Sequence, residues 1–196
     1  MAKLYFYYAA MNAGKSTTLL QAAFNYAERG MATMLWTAGI DDRAGAGVIG
    51  SRIGLDAPAH CFFPETDIAA RVRVEAAERP IAAVLVDEAQ FLTRAQVWQL
   101  AELCDRDDLP VVTYGLRTDF TGALFEGSAA LLGIADSLTE LKAICECGRK
   151  ATMNLRVDSD GRAVAAGAQT EIGGNDRYIA LCRRHFRERL AATSHG

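Results

Sequence analysis

The chain of 196 residues has no apolar run approaching the roughly 18–20 residues that a membrane-spanning helix needs, so nothing in it reads as a span or a membrane partner. It also has no excess of positive charge. Lys and Arg number 21 against 24 Asp and Glu, a net charge of −3, and the basic residues are not clustered. That balance argues against a DNA- or RNA-binding surface as the main business of the protein, while leaving room for a local small-nucleotide site. Internal repeats and low-complexity segments are absent. The opening Met-Ala-Lys-Leu-Tyr-Phe lacks signal-peptide organisation, because a strand is already running by residue 4; the expected location is cytoplasmic. Cysteines number only five, an odd count. In a reducing cytoplasm, spaced cysteines read as metal ligands or buried thiols rather than disulfides.

What is present is ordinary globular material, 51% hydrophobic and 23% charged, enough for one domain with a full core and a small appendage. The most specific stretch follows the apolar run Leu4–Tyr8: Ala9-Ala10-Met11-Asn12-Ala13-Gly14-Lys15-Ser16-Thr17. Strand, tight loop ending in Gly-Lys-Ser, then helix is the order of a phosphate-binding P-loop. Backbone N–H groups and the positive end of the helix wrap a polyphosphate. Lys15 can reach the β/γ-phosphates of ATP, and the Ser16 hydroxyl can hold Mg²⁺. The first glycine of G-x-x-x-x-G-K-[ST] is missing, because residue 9 is alanine. Alanine is tolerated there if φ is negative. The plain alternative is a glycine turn capped by serine.

Residues 17–29 read as a helix with Leu20, Ala23, Phe24 and Ala27 on one face and Gly30 as its stop. Residues 32–37 read as a strand, 39–58 as a loop with at most a short strand, and 66–78 as a helix. Residues 81–86 read as a buried strand, and 93–104 as a helix capped by Thr93. Residues 110–114 read as a strand, at an edge or starting at its proline. Strands alternating with helices predict an α/β fold, a parallel sheet flanked by helices. The texture changes near residue 140. The expected organisation is a nucleotide-binding domain over 1–140, a small metal-held subdomain over 141–190 and a frayed tail over 191–196.

The strand Val84-Leu85-Val86 ends in Asp87 and Glu88. Parallel strands place their C-terminal ends at the ligand crevice. Asp87 would approach Mg²⁺ opposite Ser16. Glu88, expected to point elsewhere because strand neighbours alternate faces, is free to act as general base on a hydroxyl or water. The bland reading is a pair of carboxylates that caps the next helix.

Cys145-Glu146-Cys147-Gly148 and Cys182-Arg183-Arg184-His185 together offer four zinc-type ligands. Cys182 and His185, at i and i+3, can share a helix face. Cys145 and Cys147 need a tight turn, with Gly148 supplying its freedom. Four protein ligands make a closed, structural zinc site. The competing reading is two buried cysteine pairs and a surface histidine. Cys61 and Cys104 read as small core residues, and His60 and His195 as surface residues without partners.

Four motifs in this order, Met-Asn-Ala-Gly-Lys-Ser-Thr, Val-Asp-Glu-Ala-Gln-Phe, Tyr-Gly-Leu-Arg-Thr-Asp-Phe and Ile-Gly-Gly-Asn-Asp-Arg-Tyr ahead of Cys-x-x-His, resemble the thymidine kinase family of the cellular and bacterial type, in its enterobacterial-like branch. The resemblance spans about residues 3–190. It implies transfer of the ATP γ-phosphate to the 5′-hydroxyl of thymidine or deoxyuridine, in nucleotide salvage. Glu88 matches the general base, Ala9 through Ser16 the phosphate loop, and Asp87, Glu88, Ala89 and Gln90 a second nucleotide segment. Asp41 and Arg43 match an Asp-x-Arg near phosphates and metal. Met11, Phe91, Leu116, Phe120 and Tyr178 match positions around base and sugar. Residues 168–176, with Gly173 and Gly174, match a lasso whose backbone reads the thymine edge. Cys145, Cys147, Cys182 and His185 match the zinc ligands. A homotetramer inhibited by thymidine triphosphate is further implied. Ala44 departs from the aromatic usual after Arg43. Two other classes compete with the kinase: a P-loop ATPase switch acting on a protein partner, and a zinc-ribbon nucleic-acid binder, which the acidic balance disfavours.

Overall fold

Uninterrupted apolar strands bury both faces, and here they build a parallel sheet covered on both sides. The computed structural model describes residues 1–41, 44–169 and 177–193. In chain order the elements of the main body are β1 (Leu4–Ala9), α1 (Lys15–Ala27), β2 (Thr33–Ala38), β3 (Val48–Gly50), β4 (Asp56–Pro58), β5 (His60–Phe62) and α2 (Ile68–Glu78), followed by β6 (Ala83–Val86), α3 (Arg94–Asp107), β7 (Val111–Leu116), α4 (Glu126–Ile134) and β8 (Ser137–Glu140). Six strands form one sheet in the order β5-β2-β6-β7-β1-β8, with every pairing parallel. The alternation of side chains along β6 divides the core in two. Val84 and Val86 join Phe6, Trp36, Leu100 and Leu131 on one side, and Leu85 joins Leu19, Leu20 and Tyr114 on the other.

Three local expectations change. The buried stripe of α1 is Leu19 and Leu20, with Ala22, Ala23 and Tyr26 partly covered, while Phe24 is 57% exposed. The helix begins at Lys15 in the phosphate loop, which sets its rotation and carries Phe24 outward. Pro110 precedes β7, and β7 is interior, between β6 and β1. The proline only supplies its carbonyl, which accepts the Val84 N–H at 3.0 Å, so its missing N–H costs no ladder bond. Residues 60–62, for which no strand is predicted, form the edge strand β5, and 48–58 form the β3–β4 hairpin. His60 is therefore held, not free. Its ring lies 5.1 Å from that of Trp36, and Nε2 lies 3.3 Å from a Glu75 carboxylate oxygen. The cap of α3 is as expected, with Thr93 and Gln96 forming a reciprocal capping box.

After β8 come β9 (Ala143–Ile144), β10 (Lys150–Ala151), β11 (Met153–Arg156), β12 (Tyr178–Leu181) and α5 (Arg183–Thr193). Two two-stranded antiparallel pairs, β9 with β10 and β11 with β12, share a small core with Ala10 of the phosphate loop. The helix α5 runs through Thr193, past the expected start of fraying at 191, and residues 194–196 lie outside the described ones. Among the described residues no helix is long and apolar enough to cross a membrane.

Ala9 closes β1, is 2% exposed and is not among the residues with positive φ. The missing glycine thus costs no strain. Ala9→Gly is expected to lower stability by roughly 0.5–1 kcal/mol with no gain in ATP affinity, as checked by thermal melting and nucleotide titration.

Candidate active site

The C-terminal ends of β1, β6 and β7 open onto a cavity of about 890 Å³, within the range of small-molecule sites. Its floor is the phosphate loop from Met11 to Ser16. Gly14 is left-handed at φ +77° and starts α1 without a side-chain cap, so the first helical N–H groups face the cavity unspent. Lys15 is buried, with Nζ folded back 3.4 Å from the Ala10 carbonyl oxygen. The Met11 N–H donates to Asn154 Oδ1 at 2.7 Å, and Asn154 Nδ2 donates to the Thr118 carbonyl at 3.2 Å. One buried amide thereby ties the phosphate loop to the strand-end loop after β7 and to β11.

Asp87 and Ser16 both line the cavity floor, where the Ser16 hydroxyl favours the charged form of the Asp87 carboxyl. The Asp87 N–H donates to the Trp36 carbonyl at 2.8 Å, which continues the sheet one residue beyond β6. Glu88 diverges from Asp87 for a different reason from the one expected. The strand has ended, and Glu88 adopts φ +52°, an unusual conformation for a side-chain-bearing residue. Its carboxylate accepts a hydrogen bond from Gln90 Nε2, and Gln90 Oε1 accepts the Leu116 N–H at 2.9 Å. Gln90, itself 2% exposed, fixes Glu88 against the end of β7.

Burial, and next the Glu88 charge, push the Asp87 carboxyl up to about 7 against the opposing pull of the Ser16 hydroxyl, the Glu88 N–H and Lys15. An unfolded aspartate titrates at about 3.9, so this group's contribution to stability is full below that pH and is lost as pH rises through about 7. Asp87→Asn is expected to be more stable than the parent at pH 8 by roughly 2–4 kcal/mol, with the difference vanishing near pH 4. Urea unfolding at the two pH values checks it, and equal differences at both would contradict the assignment.

The remaining walls carry most of the expected residues. Asp41, Phe91, Leu116, Phe120 and Tyr178 all line the cavity. Phe91 meets Phe125 edge-on, with centroids 5.8 Å apart. Ala9, Ala10 and Ala89 do not line it: their side chains are buried in the packing beneath, at 2%, 5% and 0% exposure. Arg43, Gly173 and Gly174 lie outside the described residues. Thr118, Asp119, Phe125, Asn154 and Gln169 also line the cavity, as does the β3–β4 turn from Ser51 to Leu55. Thr118 and Asp119 fall inside the Tyr-Gly-Leu-Arg-Thr-Asp-Phe motif and Gln169 inside the 168–176 match without being singled out there, while no motif marks Phe125, Asn154 or the turn, which are placed by packing between distant segments. Ala44 sits against Gly50 so closely that a Cβ on Gly50 would come within 2.6 Å of the Ala44 Cβ.

The second cluster is Cys145, Cys147, Cys182 and His185, whose ligand atoms all lie within 4.8 Å of one another. Gly148, at φ +77°, closes the turn, and its N–H donates to the Cys145 carbonyl at 2.8 Å. Cys145 Sγ lies 3.3 Å from His185 Nδ1, and Cys147 Sγ lies 3.9 Å from Cys182 Sγ. Tetrahedral zinc with bonds of about 2.0–2.3 Å spaces its ligands by about 3.3–3.8 Å, so the donor set fits that ion. Burial pushes the Cys145 thiol up, but the N–H groups of Cys147 and Cys182 and the His185 ring outweigh it and bring it to about 6, which favours the metal-binding thiolate.

The thymidine kinase family model matches residues 2–186. The chain belongs to the thymidine kinase family. It is 71% identical to the thymidine kinase of Novosphingobium aromaticivorans over 97% of this chain and 99% of that one. It is 62% identical to that of Zymomonas mobilis, over 97% and 98%, and 58% identical to that of Salmonella typhimurium, over 97% and 93%. In this member of the thymidine kinase family, the phosphate loop, the Asp87–Glu88 pair and an aromatic wall surround one cavity, and the Cys3His cluster lies apart from it.

Proposed function

We propose that this chain transfers the γ-phosphate of ATP to the 5′-hydroxyl of thymidine, or of deoxyuridine, to give the 5′-monophosphate in nucleotide salvage. The observation that carries the reading is one cavity lined by a phosphate loop, by a carboxylate, Glu88, and by the aromatic residues Phe91, Phe120 and Tyr178. Lys15 and the N–H groups of residues 11–16 would hold the β- and γ-phosphates. Glu88 would take the proton of the 5′-hydroxyl as its oxygen bonds the γ-phosphorus and the bond to the β–γ bridging oxygen breaks, releasing ADP. Ser16 and Asp87, with Asp41 nearby, would hold Mg²⁺, which neutralises phosphate charge when bound.

Met11, Arg43, Leu116 and Gly173 complete the nucleoside site in this reading. Zinc on Cys145, Cys147, Cys182 and His185 would be structural, holding together a subdomain over 141–190 that follows the nucleotide-binding domain over 1–140. A cytoplasmic homotetramer inhibited by thymidine triphosphate is part of the same proposal. The test is ATP consumption by the purified chain with Mg²⁺ and no nucleoside, thymidine, deoxycytidine or deoxyadenosine. Turnover with thymidine only, yielding the monophosphate, is expected. Hydrolysis indifferent to every nucleoside would overturn the reading in favour of a switch acting on a protein.

A further inference from the structure

Arg156 stands on β11 opposite Tyr178 of β12 and is only 5% exposed. Its guanidinium carbon lies 3.8 Å from the centroid of the Phe120 ring, a close cation–π contact. Nη1 donates to the Ala168 carbonyl and Nη2 to the Ala166 carbonyl, each at 3.0 Å. Gly167, between those two residues, has φ +140°, and a Cβ there would come within 2.2 Å of Nη2. The chain can follow this path around the guanidinium only with glycine at that position.

The next residue repeats the pattern. Gln169 Nε2 donates to Asp119 Oδ2 at 3.0 Å. Burial would raise the Asp119 carboxyl, but hydrogen bonds from the Thr121 side chain, Gln169, and the N–H groups of Thr121 and Ala123 keep it below its ordinary value. Asp119 is thus a fixed anion next to Phe120. Two side chains, Arg156 and Gln169, staple residues 166–169 to the loop that carries Phe120.

We propose that Arg156, supported by Gln169, is a positioning residue for the nucleoside: it holds the Phe120 ring and the main chain of 166–169 in one geometry at the cavity wall. The inference rests on the function proposed above. A buried cation is a costly way to fill space, since packing alone is met by an apolar side chain. The forked guanidinium does what an apolar side chain or a lysine cannot, binding two carbonyls and a ring face at once. Of the groups it fastens, Phe120 lines the cavity wall assigned above to the nucleoside, and Gln169, next along the chain from Ala168, lines it too, so its loss is expected to act on the nucleoside rather than on ATP.

The experiment uses the full chain and four proteins: parent, Arg156→Met, Arg156→Lys and Gln169→Ala. Initial rates are measured against thymidine and against ATP separately, with melting temperatures. For Arg156→Met, KM for thymidine is expected to rise about 10- to 100-fold, with KM for ATP and kcat within about twofold. Arg156→Lys keeps the charge but not the fork and is expected to fall between. Gln169→Ala is expected to raise KM for thymidine about three- to tenfold. A merely structural role would lower the melting temperature and the active fraction without separating the two KM values. Gln169 is exposed, so its variant decides the matter if Arg156→Met does not fold. Unchanged thymidine KM, or equal rises for both substrates, overturns the inference while parent turnover with thymidine keeps the proposed function. A parent that ignores thymidine overturns the function itself.

Discussion

Glu88→Gln is expected to slow phosphoryl transfer to thymidine by about 10²–10⁴-fold while ATP still binds with nearly parental affinity. The substitution keeps the shape of the side chain and leaves an oxygen able to accept from Gln90 Nε2, so the backbone at φ +52° and the tie to Leu116 survive. What it removes is the capacity to take a proton. In the proposed reading the phosphate contacts belong to Lys15 and the loop N–H groups, which the substitution leaves untouched. Single-turnover rates with thymidine, set beside ATP affinity from equilibrium titration, separate the two. Turnover near the parental rate would remove Glu88 from the base role and leave it as a residue that orders Gln90.

Removing zinc, by chelation or by Cys182→Ser, is expected to unfold the segment after β8 while the six-stranded sheet survives, giving two transitions in place of one. The physical reason is the size of the small core. It is built largely of Ala10, Ala143, Ala151, Ala163, Leu155, Leu181 and Phe186, and its sheets have two strands each. Isolated two-stranded pairs are marginal in water, and a core of alanines buries little apolar surface. Structural zinc supplies on the order of ten kcal/mol in small zinc peptides, enough to decide whether such a segment is ordered. On the proposed ligands it would close a loop of 34 residues, 148–181, that contains Arg156 and Gln169. Thymidine affinity should therefore fall with zinc content. Metal analysis alongside calorimetry and limited proteolysis checks this, and a zinc-free chain with an unchanged single transition would refute it.

Much of the site was legible because its chemistry is encoded locally. Gly14-Lys15-Ser16 follows an apolar strand and opens a helix, and Asp87-Glu88 ends another. In both cases the element and the functional group are a few residues apart. The capping box at Thr93 and the turn at Gly148 are of the same kind. The helix α4 is hidden because Gly127, Ser128 and Gly133 weaken its local signal, and packing imposes it. The edge strand β5 is three residues long, too short for a period, and exists because β2 offers it a ladder.

The sequence alone determined the chemistry on offer: a phosphate loop, paired carboxylates at a strand end, four zinc-type ligands, and an α/β order of elements. It did so because hydrophobic period, turn residues and ligand spacing act over a few positions. Tertiary structure alone decided the rest. It decided that β7 lies between β1 and β6, that Asn154 reaches Met11 across 143 residues, and that Arg156 lies over Phe120. Those contacts join segments whose meeting is set by sheet order and close packing, and neither leaves a mark at any fixed spacing along the chain.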